Sequence, residues 1–548
     1  VRLQLLVCGR GADLRVAPPA VRVYFTNSLY GAWDEQFYPD GVHIELSPRY
    51  HIGTLGFVDD IYDLAKLNGR LADLPAGYIE RTEKAFEFLL YNSAPNRLLP
   101  PFNDCGAAND DTRTYLQAGY GYFPNRTDFL WTSGGGTKPA KTSWNFPYAG
   151  YGVMRSGWET DANFLCFDAG PLGSSSHRHE DKLNVVLWAY GRELLFDSGG
   201  GSYESSIWRT WGTSSYSHNC ITVDGLAQKG GDGSYAATDA DYQSQAPVNM
   251  RWESGANHDF AAGIYNRGYG TSYTNRPAAQ TRRVLFVKPD IYVVADTMIP
   301  SNTSSHTYQA RWHLLSPNTT FDPLTKTVTT TDAGKANLAV VPCLGAGLTV
   351  ENISARLSNS GSTTPVLSEM LGWDQPNLSV GTQTPATTVT QTLSGTGTQH
   401  FLTLFLPLKS GQSNPVASVT NPTATSAQIT LTDGRRLLVE ADPDPTRGLK
   451  LTEILPDNST NRYVGAGNNP PVIAGLGNQA VSPGAVVTLP FTVTDNSPNV
   501  TVSVRSLNQV LVPDANLVLS GSGTNRTLGV TLSPNKTGTS TLIVTALD

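Results

Sequence analysis

Apolar residues recur at three- and four-residue spacing in HIGTLGFVDDIYDLAKLNG (51–69) and GYIERTEKAFEFLLYNSA (77–94), each closed by Gly or Asn-Ser. That spacing predicts two amphipathic helices. From about residue 144 the period changes to two, in runs such as ANFLCFDAG, LNVVLWAYG, RELLFDSG, NCITVDG and TRRVLFVKPDIYVVADTMI separated by Gly, Asp and Pro, as antiparallel strands require. The runs continue through ARWHLL, KTVTTTD, ANLAVVPCL, HFLTLFLPL, SAQITLTDG and RRLLVEAD. This is more strand than a single small sheet can use, so a large two-sheet sandwich is expected. At 464–471 the uncharged segment VGAGNNPP breaks the pattern, as a linker does. Beyond it, 472–548 carries VVTLPFTVTD, NVTVSVRSL, RTLGVTLSP and TLIVTALD, which fits a small immunoglobulin-like sandwich without the Cys and Trp markers of true immunoglobulin domains. The expected class is mixed and mainly β.

Composition sharpens this picture. A chain of 548 residues exceeds one ordinary core, and 16% charged residues with 52 Gly and 35 Pro agree with strands joined by turns. The net charge of -7 excludes a general affinity for nucleic acid or other polyanions, which needs a summed basic field. An anionic ligand must therefore be met locally. Five cysteines, Cys8, Cys105, Cys166, Cys220 and Cys343, have neither zinc-ribbon nor redox spacing and leave room for one bridge. No apolar run reaches the ~20 residues of a membrane helix, and the first residues lack the succession of a signal peptide. Ser/Thr-rich β-modules of low charge point to a bacterial-type protein that is secreted, periplasmic or at the cell surface, so the true start is expected upstream. The pattern carries no signature of oligomeric state.

Chemistry concentrates between Gly173 and Gly225, in GSSSHRHEDKLNVVLWAYGRELLFDSGG followed by SIWRTWGTSSYSHNCITVDG. Three of the nine histidines lie here. His177 and His179 are two apart and share a face of an extended chain, while Asp197 and His218 flank later strands. Imidazole and carboxylate suit Zn²⁺, and His179, Asp197 and His218 are the nominated ligands. Singly, each is as well explained by hydrogen bonds to a turn; together they favour a metal site.

The ordered run HRHEDKLNVVLWAYGRELLFDSG, an aromatic Arg-containing stretch and SHNCITVDG resembles the heparinase II/III signature. Upstream, FPYAGYGVMRSGWETDANFLCFDAGPLG (146–173) resembles the strands leading into it, and EQFYPDGVHIELSPRYHIG (35–53) resembles the segment bearing the family's catalytic tyrosine. The resemblance implies an (α/α) toroid at 1–120, a large antiparallel β-sandwich at 121–463, the linker and the terminal module. It implies a polysaccharide lyase that binds uronate-containing polysaccharide, glycosaminoglycan or alginate-like, between toroid and sandwich and cleaves it by β-elimination. The first 22 residues look unlike a toroid helix, so only the C-terminal part of the toroid is expected.

Carried over by position, Tyr50 resembles the tyrosine acid, in some members also the base, and His177 the histidine facing it across the cleft. His179, Asp197 and His218 resemble structural Zn²⁺ ligands. The Asn or His that neutralises the substrate carboxylate in the family falls at or before Val1, and Asn27 lies too close to Tyr50. Ser47 and Pro48 mark a helix entry, which places Tyr50 in a first turn, where the helix dipole favours a phenolate. Arg209 is the candidate cation for uronate or sulfate, or else a stacking residue. Tyr203 and Trp208 are candidates to line a sugar platform. His51 is either a substrate contact or a packed residue, and Glu45 either orients the cleft or caps the helix. Two other readings stay open: a metal-dependent glycan hydrolase using Glu180 or Asp181 as base, without an HExxH helix, and a non-catalytic carbohydrate-binding or cell-surface protein.

Overall fold

A computed structural model describes residues 36–74, 77–105, 111–173, 177–198, 203–229, 247–248, 250–272, 274–375, 383–466, 471–495 and 500–547. The start of the expected toroid, including Asn27, and Cys8 lie outside the described residues. The helical part holds α1 (Pro48–Leu67), α2 (Tyr78–Asn92) and α3 (Thr112–Tyr122). On α1 the buried positions are Pro48, His51, Leu55, Val58, Tyr62 and Ala65, the three/four alternation of a helix with one wet face. The second helix is buried nearly all round from Phe86 to Asn92, because it is sandwiched between its neighbours and a sheet. The sequence pattern missed α3, whose TRTYLQAGYGY carries two glycines. One of them is needed: a Cβ on Gly119 would lie 2.7 Å from the Phe86 ring, so the bare backbone is what lets α3 lie against α2.

Two antiparallel sheets, nine- and eight-stranded, form the large sandwich. The first runs from the strand Trp144–Phe146 through Tyr151–Arg155, Phe164–Asp168, Val185–Ala189 and Arg192–Leu195 to His306–Leu314 and its neighbours. The second centres on the long hairpin Ala278–Val287 and Ile291–Pro300. Leu165, Phe167 and Val185 of one sheet meet Val284, Phe286 and Val294 of the other in a shared core. Alternation sends Val153, Phe164, Cys166 and Val186 to the opposite face, where they pack with Phe86, Phe88 and Leu90 of α2. Arg155 locks this seam: its buried guanidinium donates to the carbonyls of Tyr91 and Ser93 at the end of α2, satisfying helix-end acceptors that water cannot reach.

A third sheet, five-stranded and spanning Val416 to Gly465, covers the outer face of the eight-stranded one, with Ile429, Leu437 and Leu451 against Leu285 and Val293. Strand periodicity reveals a strand but not its layer, so the sequence pattern alone places these strands in the sandwich and the structure moves them to a third sheet. The strand Thr460–Gly465 takes the first two positions of the expected linker; 467–470 lie outside the described residues. From residue 471 a four-stranded and a two-stranded sheet enclose a separate core around Phe491, Val493, Leu528 and Val530. This module touches the main body where Tyr148 Oη donates to Thr545 Oγ1 at 2.9 Å. Cys105, Cys166, Cys220 and Cys343 are buried, and Cys166, Cys220 and Cys343 are free thiols. No described helix is long and apolar enough to cross a membrane.

Candidate active site and metal cluster

The first turn of α1 presents Tyr50 at the seam between helices and sandwich. Ser47 is the helix cap: its Oγ accepts from the Tyr50 N–H at 3.5 Å and donates to the Asp104 carbonyl at 2.8 Å. The Tyr50 ring stacks on His177, centroids 3.7 Å apart and planes within 12°. Glu45, just ahead of the helix, holds His177 Nδ1 through Oε2 at 2.8 Å. A close approach makes this possible: at Gly173, with φ +77, a Cβ would lie 2.8 Å from the Glu45 carbonyl. His177 and Glu45 keep 21% and 19% of their side chains exposed, so both can be reached from solvent.

Tyr203, 52% exposed, lies across from Tyr50 with the two hydroxyl oxygens 2.7 Å apart. Partial burial and the bond to Tyr50 push the Tyr203 hydroxyl well above its ordinary titration range. Either hydroxyl can be the donor in the bond between them.

Behind this surface lies a buried cluster. His179, Asp181 and His218 each offer one ligand atom, and these atoms lie within 4.8 Å of one another. His179 Nδ1, Asp181 Oδ2 and His218 Nε2 are buried without a hydrogen-bond partner. Each imidazole is held by its other nitrogen: His179 Nε2 on Asp104 Oδ1 at 3.0 Å and His218 Nδ1 on Asp197 Oδ2 at 2.9 Å. A carboxylate behind each imidazole, with the second nitrogen left for an ion, is the arrangement that orients histidine ligands. The residues therefore fit a divalent cation such as Zn²⁺, which accepts His nitrogen and Asp oxygen. Asp197 is not in the group as expected; its carboxylate is taken by His218 and by Asn184 Nδ2 at 2.5 Å, and Asp181 stands in its place. Burial raises the Asp181 carboxyl above its usual range. For His218, burial works against the charged form but the Asp197 carboxylate outweighs it.

The cluster is fixed by the sandwich core. The buried Arg282, paired with Asp296 at 2.8 Å, reaches across to the carbonyls of Leu183 and Asn219. The Asn219 side chain joins Val185, Phe196 and His313 at 2.7–2.9 Å, which explains its place directly after His218.

Against known proteins, the heparinase II/III N-terminus model matches residues 21–131 and the model described as heparinase II/III-like, C-terminal, matches 138–371. The chain belongs to the heparinase II/III-like family. Among curated relatives, the heparin-sulfate lyase of Pedobacter heparinus is 26% identical over 394 residues, 70% of this chain and 53% of that protein. The heparin-sulfate lyase of Bacteroides stercoris is 26% identical over 49% of this chain and 38% of its own length. The chain thus spans at most about half the length of these relatives. The crystal structure of heparan sulfate lyase HepC from Pedobacter heparinus shares the fold, with TM-score 0.64 at 20% identity over 82% of this chain and 62% of that one.

Within this family fold the expected residues separate. Tyr50, His177 and Tyr203 come together, with Glu45 orienting His177 rather than capping α1. His51 is not at the cleft: it is 1% exposed, its Nδ1 accepts from the His43 N–H at 3.2 Å and its Nε2 donates to the Ala85 carbonyl at 3.0 Å. Burial pushes it down to about 3, so it is a neutral packed residue. Arg209 lies under the Tyr203 ring at 5.0 Å, with its guanidinium fork on the two oxygens of Asp104, so its charge is met within the protein rather than held ready for a uronate. Trp208 packs edge-on to Trp211 and Trp373. Asp104 and Asp181 were not foreseen in these roles. For Asp104 no spacing signal exists, since the loop PPFNDC meets the cluster only through folding; for Asp181, the two-residue offset from His179 was a signal.

Proposed function

We propose that this chain is a polysaccharide lyase that cleaves uronate-containing polysaccharide by β-elimination, with Tyr50 as acid and His177 as base. The observation that carries this reading is the stacked Tyr50–His177 pair, one ring from the helical part and one from the sandwich, and the family membership agrees with it. With Nδ1–H donated to Glu45, His177 offers the lone pair of Nε2 to the proton at C5 of the uronate. The electrons of that C–H bond form the C4–C5 double bond, the C4–O bond breaks, and the leaving glycosidic oxygen takes the Tyr50 proton. Tyr203 then donates to the Tyr50 phenolate. An imidazole suits proton abstraction near neutrality, and a phenol suits protonation of an alkoxide.

Zn²⁺ held by His179, Asp181 and His218, with Asp197 behind His218, would supply a rigid cross-link behind His177. The burial of the cluster favours this structural role over a hydrolytic one, because a polysaccharide cannot reach it. The partner is an anionic polysaccharide met outside the cytoplasm, in keeping with the low-charge β-rich composition. The test is to incubate the chain with heparan, chondroitin and alginate polymers and follow the ultraviolet absorbance of the conjugated unsaturated uronate. Absorbance should rise on at least one polymer and vanish for Tyr50→Phe, by at least a factor of ~10². Chain shortening without that chromophore would mean hydrolysis and overturn the reading.

A further inference from the structure

We propose that Asp104 is a positioning residue that couples the buried His179–Asp181–His218 cluster to the Tyr50–Tyr203 pair. The tyrosine half of this rests on the lyase reading; the cluster half does not. Asp104 sits in the loop between α2 and α3, outside the sandwich that supplies the cluster. Its side chain is fully buried, and both carboxylate oxygens are occupied in two directions. Toward the cluster, Oδ1 accepts from His179 Nε2 at 3.0 Å. Toward the cleft, the two oxygens take the Arg209 fork, Oδ2 at 2.7 Å from Nη2, and that guanidinium lies under Tyr203, whose hydroxyl bonds Tyr50. The backbone is pinned as well, its N–H donating to the His177 carbonyl at 3.2 Å and its carbonyl accepting from Ser47 Oγ at 2.8 Å. Asn103 adds a second tie, accepting from the His179 N–H at 2.6 Å and donating to the Leu46 carbonyl at 3.3 Å.

The physical consequence is twofold. An imidazole that must donate Nε2–H to Asp104 presents only Nδ1 to Asp181 and His218, so the tautomer and ring angle of His179 are set before any ion arrives. A guanidinium forked on the same carboxylate cannot swing away from the Tyr203 ring. A bare counter-ion for Arg209 would account for the second contact but not for the first.

The experiment compares the full chain with Asp104→Asn, the double variant Asp104→Ala/Arg209→Ala, and Arg209→Lys. Zn²⁺ affinity is measured by competition with a chromophoric chelator, fold by circular dichroism, and kcat and KM by the unsaturated product. Asp104→Asn should weaken Zn²⁺ about 10- to 100-fold, the loss expected when a residue behind a metal-ligating histidine is removed, and lower kcat more than KM. The double variant leaves no buried charge unpaired, which guards against misfolding, and should show the same loss of affinity. Arg209→Lys should lower kcat while keeping Zn²⁺ affinity. Wild-type affinity in the double variant would reduce Asp104 to a counter-ion and overturn the proposal, as would a parent chain that binds no Zn²⁺ or an unchanged kcat in Arg209→Lys. A parent chain that binds Zn²⁺ yet yields no unsaturated product overturns the lyase reading, and with it the tyrosine half; the affinity ratios then decide the cluster half alone.

Discussion

Two hydroxyls 2.7 Å apart share a single hydrogen bond, and once one of them gives up its proton the other can donate to the oxygen left behind. On the lyase reading, Tyr203→Phe removes the hydrogen-bond partner of the Tyr50 oxygen and leaves the Tyr50 hydroxyl in place. Steady-state kinetics should then show kcat falling by about 10-fold, the worth of one hydrogen bond to a charged oxygen, against near-complete loss for Tyr50→Phe. Equal losses would mean that the two tyrosines act interchangeably. A second consequence concerns the two neutral histidines at the buried face of α1. His51 and His43 are both held at about 3, each mainly by burial, against an ordinary 6.5. Above 6.5 both are neutral folded or unfolded, so their packing is fully available; as pH falls from there toward 3 the unfolded chain binds protons that the folded chain refuses, and stability drops by about 1.4 kcal/mol per pH unit for each. His51→Gln, followed by denaturant unfolding between about pH 6 and about pH 4, should flatten that slope by one histidine's share; an unchanged slope would place the protonation elsewhere. These residues also show what sequence could reveal. Tyr50, His177, His179 and His218 were legible because they lie in ordered motifs. The burial of His51, the capture of Arg209 by Asp104 and the exchange of Asp197 for Asp181 depend on contacts between segments far apart in the chain, which no local pattern encodes.

Helices α1 and α2 were legible because their apolar residues recur at three- and four-residue spacing, α1 burying one regular stripe and α2 the same spacing in its first turns, and the strands because alternation survives wherever a sheet has two different faces. The elements that escaped have no such contrast. In α3 the helix is written with glycine at the contact, since a Cβ on Gly119 would lie 2.7 Å from the Phe86 ring, and glycine in sequence reads as a break. The short helix α4 (Ile207–Gly212) lies within an aromatic stretch, where its single turn and a half gives no period. The α2–α3 contact can be tested directly. Gly119→Ala adds a methyl with no room to accept it, so despite alanine's better helix propensity the variant should lose about 1–3 kcal/mol, the usual cost of overpacking, measured by urea unfolding. A gain in stability would show that Phe86 rotates away freely and that the tight approach carries no constraint.

At the scale of the whole molecule, the site lies on a seam. Tyr50 and Glu45 come from the helical part, His177 and Tyr203 from the sandwich, and the ligand cluster sits just behind, within the sandwich's own strand ends. Three buried atoms there lack partners, and an unsatisfied buried polar atom costs roughly 1–3 kcal/mol; an ion that bonds all three removes that cost from the folded state alone. Free Zn²⁺ at about 100 times its Kd should therefore stabilise the sandwich by about 2.7 kcal/mol. The C-terminal module has a separate core and meets the main body at Tyr148–Thr545, so it gains nothing from the ion. Calorimetry of the chelated chain should show a main transition that moves to higher temperature as Zn²⁺ is restored, with any transition of the module staying fixed. His218→Ala should abolish the movement. If both transitions shifted together, the ion would be binding outside the cluster, or the module would be coupled to the main body more tightly than the Tyr148–Thr545 contact suggests.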